Sequence, residues 1–381
     1  MKLERLDWEN IVNAPKGSAK PIVEEICPGF HVENGMPEVC VLDASFVPVV
    51  EDPQRYEFYF RDFFYKQETL TYIGSSQDKD MFIVVSILKA TASNDKYSFF
   101  RAIVRTADED KRVEIIREDD DKSKPSKKAL LRELRGAFSY LAKIKLKPIE
   151  NVDMQEDLLQ FEKQLTVTSM KIGVLYCKEG QKTEDEMFSN TSYSPEFEEF
   201  LNLLGETVLL KGFTGFRGGL DVKTDTTGTK SLYTTLGSVE IMFHIAPWLP
   251  HFQLDTQQVE KKRHLGNDIV VIVFTESSEP FSPAVMRSEF NHVYAVVQPL
   301  PEKSPQGKTY CKIAFASKAG VPPFGPLLSS GSVFESSEQF RKFFLTKLLN
   351  AERSALCAPQ FAPKMKRTRA ALLANVAKKF L

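Results

Sequence analysis

The chain has 381 residues, too many for one typical hydrophobic core and enough for two domains. An apolar fraction of 42%, a mean hydropathy of -0.25 and a formal net charge of -1 describe a soluble globular protein with no global attraction for nucleic acid or an anionic membrane. No apolar run approaches the roughly 18 residues of a membrane span, and the start Met1 to Trp8 lacks the apolar core of a signal peptide, so a cytoplasmic protein is expected.

Residues 1 to about 55 are rich in proline, glycine and turn formers and read as an irregular lead-in to a first domain. Met81 to Leu88 and Tyr97 to Thr106 are β-rich runs around an Asn-Asp turn at 92–96, which predicts an antiparallel hairpin. The charged stretch Arg117 to Pro125 reads as a solvated loop, since it lacks the spacing and glycine of a calcium loop. Ser126 caps a predicted helix through Ala129, Leu130, Leu134, Phe138 and Leu141. Asn151 to Gln164 reads as a connector with a short helix.

Strands then alternate with helices, the pattern of an α/β domain. Lys171 to Lys178 predicts a buried strand, and Ser194-Pro195 opens a helix carrying Phe197, Phe200, Leu201 and Leu204 to a stop at Gly205. Gly212 to Gly219 is glycine-rich, but no lysine followed by Ser or Thr closes it as a P-loop; it reads as a structural loop anchored by Phe213 and Phe216.

Next comes a predicted helix with Asp255 as N-cap and Gln258 reciprocal to it, ending in Lys261-Lys262-Arg263-His264-Leu265-Gly266-Asn267-Asp268. Glu260, Arg263, His264 and Asn267 share one polar face, and with Val259 and Leu265 as its sole apolar residues the helix should lie largely exposed. Gly266 leaves room beside Asn267 for a foreign backbone; alternatively Gly266-Asn267 is a left-handed helix stop.

Further strands are predicted at Ile269 to Phe274, His292 to Gln298 and Thr309 to Ala316, and a capping box of Ser336 with Gln339 opens a long helix. The tail from Lys364 to Leu381 is a basic amphipathic helix, suited either to docking or to a membrane surface. The five cysteines are scattered without CxxC spacing, as in a reducing compartment, and His31, His244, His251 and His292 lack metal-ligand spacing and read as structural.

Four stretches carry a resemblance to a known family. They are Lys171 to Tyr176 with Gln181 to Phe188; Gly212 to Asp221 leading through Thr227-Gly228-Thr229 to Glu240 to His244; Lys261 to Asp268; and Phe344 to Glu352 with Arg367 to Leu373. Together they resemble the Rap-GTPase-activating proteins. The first 150 residues match more loosely, through Tyr59 to Phe64 and Phe99 to Thr106.

The resemblance implies an α/β catalytic domain like a G domain, a mixed sheet with flanking helices, over residues 151–381. It also implies a smaller α+β N-terminal dimerisation domain within residues 1–150, and so a homodimer. The implied activity is stimulation of GTP hydrolysis by a Rap-type small GTPase in its GTP-bound state, with GTP and Mg carried by the partner and no cofactor or metal held by this chain. Asn267 takes the family's catalytic role, entering the partner's nucleotide pocket to orient the hydrolytic water. Its carboxamide offers both an acceptor and a donor without titrating. His264 would orient Asn267 or contact the GTPase, and Lys261, Lys262 and Arg263 would dock its acidic switch surface; the family more often has arginine at the position of Lys261. Lys171 falls at a family position linked to activity. Arg217 is not implied to act as a finger. Alternatives are a Ral or Rheb partner, a non-catalytic scaffold for GTP-loaded GTPases, and peripheral membrane contact through the C-terminal helix.

Overall fold

The computed structural model describes residues 20–34, 58–75, 81–90, 97–118, 126–151, 153–252, 254–255, 257–328 and 333–381. Most of the expected lead-in, the turn at 92–96 and most of the charged stretch lie outside these residues.

Contacts divide the chain elsewhere than at residue 150: residues 55–166 join 360–381 in one unit, and residues up to 54 join 167–359 in the other. The reason is where apolar faces go. In the smaller unit, β1 being reserved for the strand Phe30–Glu33, an antiparallel sheet runs in the order β5-β4-β3-β2-β6, with β2 (Thr69–Ser75), β3 (Phe82–Ala90), β4 (Tyr97–Arg105), β5 (Asp110–Glu118) and β6 (Lys147–Ile149). Strand alternation sends Val85, Ile87, Ala102 and Val104 to one face and Ile73, Val84 and Ile103 to the other.

The first face is covered by α2 (Lys127–Ala137), capped as expected by Ser126, whose Oγ accepts from the Ala129 N–H at 3.2 Å. This helix does not run on to Leu141: Phe138 turns extended at φ -129, and Leu141 packs from a separate 3-10 turn. The second face is covered by α1 (Tyr59–Phe63), α3 (Asp153–Leu165) and the C-terminal helix α8 (Ala362–Phe380). Thus the expected connector and the closing helix belong to this unit. The apolar side of α8, with Leu372, Leu373, Val376, Ala377 and Phe380, is spent on that core, and Arg369 pairs with Asp110 while Lys379 pairs with Asp157.

The larger unit holds a nine-stranded mixed sheet. Its centre is parallel: β10 (Val239–Ile245), β7 (Ser169–Cys177), β11 (Val270–Thr275) and β12 (Val293–Lys303). Antiparallel strands flank it: β9 (Lys230–Leu236) and β8 (Glu206–Leu209) on one side, β13 (Thr309–Lys318), β14 (Val333–Glu335) and β1 on the other. Every residue of β11 is buried, the pattern of a strand covered on both faces.

One face packs on α5 (Pro195–Leu204) and α7 (Glu338–Ala355). Ser194 caps α5 as expected, but α7 is capped by Ser337, one residue later than predicted, with Oγ accepting from the Phe340 N–H. The other face carries α4 (Glu184–Phe188) and α6 (Val259–Leu265). No helix among the described residues is long and apolar enough to cross a membrane.

Candidate functional site around Asn267

Helix α6 is only seven residues long, and Asn267 lies in the turn beyond it rather than on its face. Gln258, expected as a reciprocal cap, is instead buried in a left-handed conformation at φ 49, its amide donating to the Phe252 and Asp255 carbonyls. Asp255 does close the helix start, since its Oδ2 accepts from the Val259 N–H at 2.6 Å. Nor is the end a left-handed stop: Gly266 has φ -67, and its N–H donates to the Lys262 carbonyl.

The helix is also less exposed than its composition suggested. Leu265 is fully buried beneath β7, and Lys261 is 1% exposed, its Nζ donating to the Phe188 carbonyl at 3.1 Å and the Asn190 carbonyl at 3.4 Å. Burial pushes the Lys261 ammonium down to about 8. A docking role for Lys261 is therefore corrected: its long stem lets an apolar-facing position be filled while the head finds carbonyls.

Lys262 is engaged as well, with Glu184 at 3.4 Å and with Asp185, which it holds below the usual carboxylate range. Arg263 alone of the three basic residues presents a largely exposed side chain, 72%, with Glu260 at 3.9 Å. Along the outer stripe of α6 lie Val259, Arg263 and then the exposed Asn267.

The Asn267 side chain folds back on the helix, Nδ2 donating to the Arg263 carbonyl at 2.7 Å. Its turn is pinned from behind. Ser288 Oγ donates to the Gly266 carbonyl at 2.6 Å, and Asn291 Nδ2 donates to the carbonyls of Leu265 and Asp268 at 2.8 and 2.6 Å.

Asp268 is completely buried. Its Oδ2 lies 2.8 Å from His244 Nδ1, and its Oδ1 makes no hydrogen bond but sits 3.3 Å from the Lys171 ammonium, at ion-pair distance. The other ring nitrogen of His244, Nε2, lies 3.1 Å from the Gly218 carbonyl. His264, half-buried, stands edge-on to the His244 ring with centroids 5.5 Å apart, and burial first, then His244, lowers its pKa. Glu352 of α7 is buried with Oε2 unpartnered; burial, then the Asp268 charge, push its carboxyl up to about 8 against the opposing pull of Lys171.

The structure thus brings Lys171 to Asp268, the residue after Asn267, sets His264 against His244, and turns Lys261 and Lys262 toward α4 and the residues just after it. The glycine-rich loop is anchored as expected: Phe213 packs edge-on to Tyr233 at 5.1 Å, and the Phe216 N–H donates to Glu240 Oε1. Its Gly218 adopts φ 62 where a Cβ would meet His244 Nε2 at 3.1 Å. Asp268, Ser288, Asn291 and Glu352 were not singled out as site residues from the sequence, and His244 was read there only as structural. One signal was available for His244, a polar residue among the apolar positions Ile241, Met242, Phe243 and Ile245, where burial demands partners. Chemically, the arrangement presents one neutral amide to solvent beside the exposed, Glu260-paired guanidinium of Arg263, above the buried Asp268 carboxylate.

Residues 187–370 match the family described as Rap/ran-GAP. The chain is 39% identical over 352 residues to GTPase-activating Rap/Ran-GAP domain-like protein 3 of Gallus gallus, covering 89% of this chain and 37% of that protein. It is 38% identical over 340 residues to Signal-induced proliferation-associated 1-like protein 1 of Mus musculus, covering 84% of this chain and 18% of that protein. A solved structure of the TSC2 GAP domain is 33% identical, covers 49% of this chain and 97% of that one, and superposes with a TM-score of 0.45. The chain spans 37% of the length of the first of these relatives and 18% of the second.

Proposed function

The chain belongs to the Rap/Ran-GAP family, and from that premise we propose that it is a GTPase-activating protein for a Rap-type small GTPase, whose nucleotide pocket receives Asn267. The observation that carries this reading is the exposure of Asn267 on a turn whose immediate neighbours, Leu265 and Asp268, are buried. A backbone turn so held leaves less of Asn267 to be ordered at the moment of docking.

In GTP hydrolysis the catalyst positions water in line with the γ-phosphate and stabilises developing charge. With Nδ2 engaged by the Arg263 carbonyl, Asn267 Oδ1 is left to accept a hydrogen bond from the attacking water. Asn267 stays neutral, adding no negative charge beside the phosphate. Arg263, exposed on the same stripe, meets the partner's acidic switch surface, while Lys171 and His264 act behind Asn267. GTP and Mg stay with the GTPase, so this chain catalyses nothing alone. The smaller unit is assigned the homodimer contact, the cytosol is the compartment, and any peripheral membrane attachment would run through the basic residues of α8, because its apolar residues are packed inside.

Single-turnover hydrolysis by purified Rap, Ral, Rheb and Ras proteins, with and without this chain, tests the reading. Stimulation of about 10³ to 10⁵ fold on a Rap protein is expected. Tight binding of GTP-loaded protein with no stimulation anywhere in the panel would overturn it in favour of a scaffold.

A further inference from the structure

Asp268 holds the turn after Asn267 in place only as firmly as its own carboxylate is held, and one Asp268 oxygen ends on His244. The ring of His244 is completely buried and faces an acceptor at each nitrogen, Asp268 Oδ2 at 2.8 Å and the Gly218 carbonyl at 3.1 Å. It therefore joins two segments distant in sequence, the turn carrying Asn267 and the glycine loop, across the width of one imidazole.

Packing alone does not explain a histidine here. Its neighbours along β10 are apolar and buried, and an aliphatic side chain would fill such a place without the desolvation of two ring nitrogens. The surroundings are shaped for the polar link instead. A Cβ on Gly218 would come within 3.1 Å of Nε2, and a Cβ on Gly173 within 3.2 Å of Asp268 Oδ2, so two glycines on separate segments leave the room that the bridge occupies. The same ring backs His264 from the side.

We propose that His244 is a positioning residue for Asn267, acting through the Asp268 carboxylate to fix the turn and through Gly218 to fix the glycine loop beside it. The proposal rests on the reading of Asn267 as the inserted group. Its reach is through geometry: reacting groups displaced by about 1 Å forfeit up to ~10²-fold in rate, far more than docking loses.

Two substitutions separate positioning from bulk structure. His244→Asn places an amide donor near the site of Nδ1 and keeps the Asp268 contact; His244→Gln places one near Nε2 and keeps the Gly218 contact. In single-turnover assays His244→Gln is expected to slow stimulated hydrolysis about tenfold or more while changing affinity for the GTP-loaded partner less than about threefold. His244→Asn should retain most of the stimulation, although both variants lose the ring and melt at similar temperatures. Equal losses in the two, following their melting temperatures, or full stimulation by His244→Gln, would overturn the proposal. Wild type and Asn267→Ala run beside them, so absence of any wild-type stimulation marks failure of the function reading instead. The bridge is then judged by amide hydrogen exchange at Asn267 and Asp268: acceleration of about tenfold in His244→Gln but not in His244→Asn supports it, and unchanged exchange in both refutes it.

Discussion

Asn267 and Arg263 are joined by a hydrogen bond of 2.7 Å from the Asn267 side-chain amide to the Arg263 carbonyl, so the end of α6 holds the donor half of the carboxamide and leaves the acceptor half outward. A carboxylate in the same place would face a carbonyl with no proton to give. Asn267→Asp is therefore expected to lose stimulated hydrolysis as fully as Asn267→Ala, by about 10³ fold or more, with both variants still binding the GTP-loaded partner. Single-turnover rates with a parallel binding isotherm measure this, and an aspartate variant keeping a tenth of the wild-type rate would contradict it.

The basic run divides into outward and inward residues, and substitutions should divide likewise. Arg263→Glu reverses an exposed charge and is expected to weaken association about threefold to tenfold, the more so at low salt, with the melting temperature unchanged. Lys261→Ala removes the donor from the Phe188 and Asn190 carbonyls and should cost about 2–3 kcal/mol of stability while leaving the association rate alone. Stopped-flow association against ionic strength, with denaturant unfolding, distinguishes them.

Gly173 of β7 sits where a Cβ would meet Leu265 Cγ at 3.1 Å and Asp268 Oδ2 at 3.2 Å. Gly173→Ala should cost about 1–3 kcal/mol, because both neighbours are packed and one is ion-paired. It should also reduce stimulation by shifting Asp268. A variant as stable and as active as wild type would show that the support beneath Asn267 has slack.

Glu352 supplies a pH dependence. Its carboxyl is raised by burial to about 8 from an ordinary 4.5, so between these values the folded protein binds the extra proton. The advantage of the protonated form is complete below about 4.5 and is lost as pH rises through about 8. Wild-type stability should fall across that window relative to Glu352→Gln, by about 1–3 kcal/mol, read as the difference in unfolding free energy at pH 5 and pH 8. Parallel curves for the two proteins would remove the assignment.

What could be read before the fold was known follows from how local each signal is. Ser126, Ser194-Pro195 and the apolar runs of β7, β11 and β13 announce themselves, because caps act over three residues and doubly covered strands are apolar along most of their length. The three basic residues before His264 look alike in sequence, yet what separates them is which carbonyls and carboxylates of α4 lie beneath, and that depends on residues more than 70 positions away. Asp268 likewise takes its partners from other elements, Lys171 of β7 and His244 of β10. The contact division differs from the boundary at 150 because residues 151–164 read as a connector with a short helix, whereas α3 carries Met154, Leu158 and Phe161 back to the five-stranded sheet.

That sheet also takes α8 from the far end of the chain, and the family match ends at residue 370, inside the helix. A chain cut at residue 370 would lose Leu372, Leu373, Val376, Ala377 and Phe380 from their hydrophobic seat. The five strands would then be left with an unshielded greasy flank prone to aggregation. Deleting the eleven residues after 370, seemingly a harmless trimming just past the matched segment, would strike the unit built on residues 55–166.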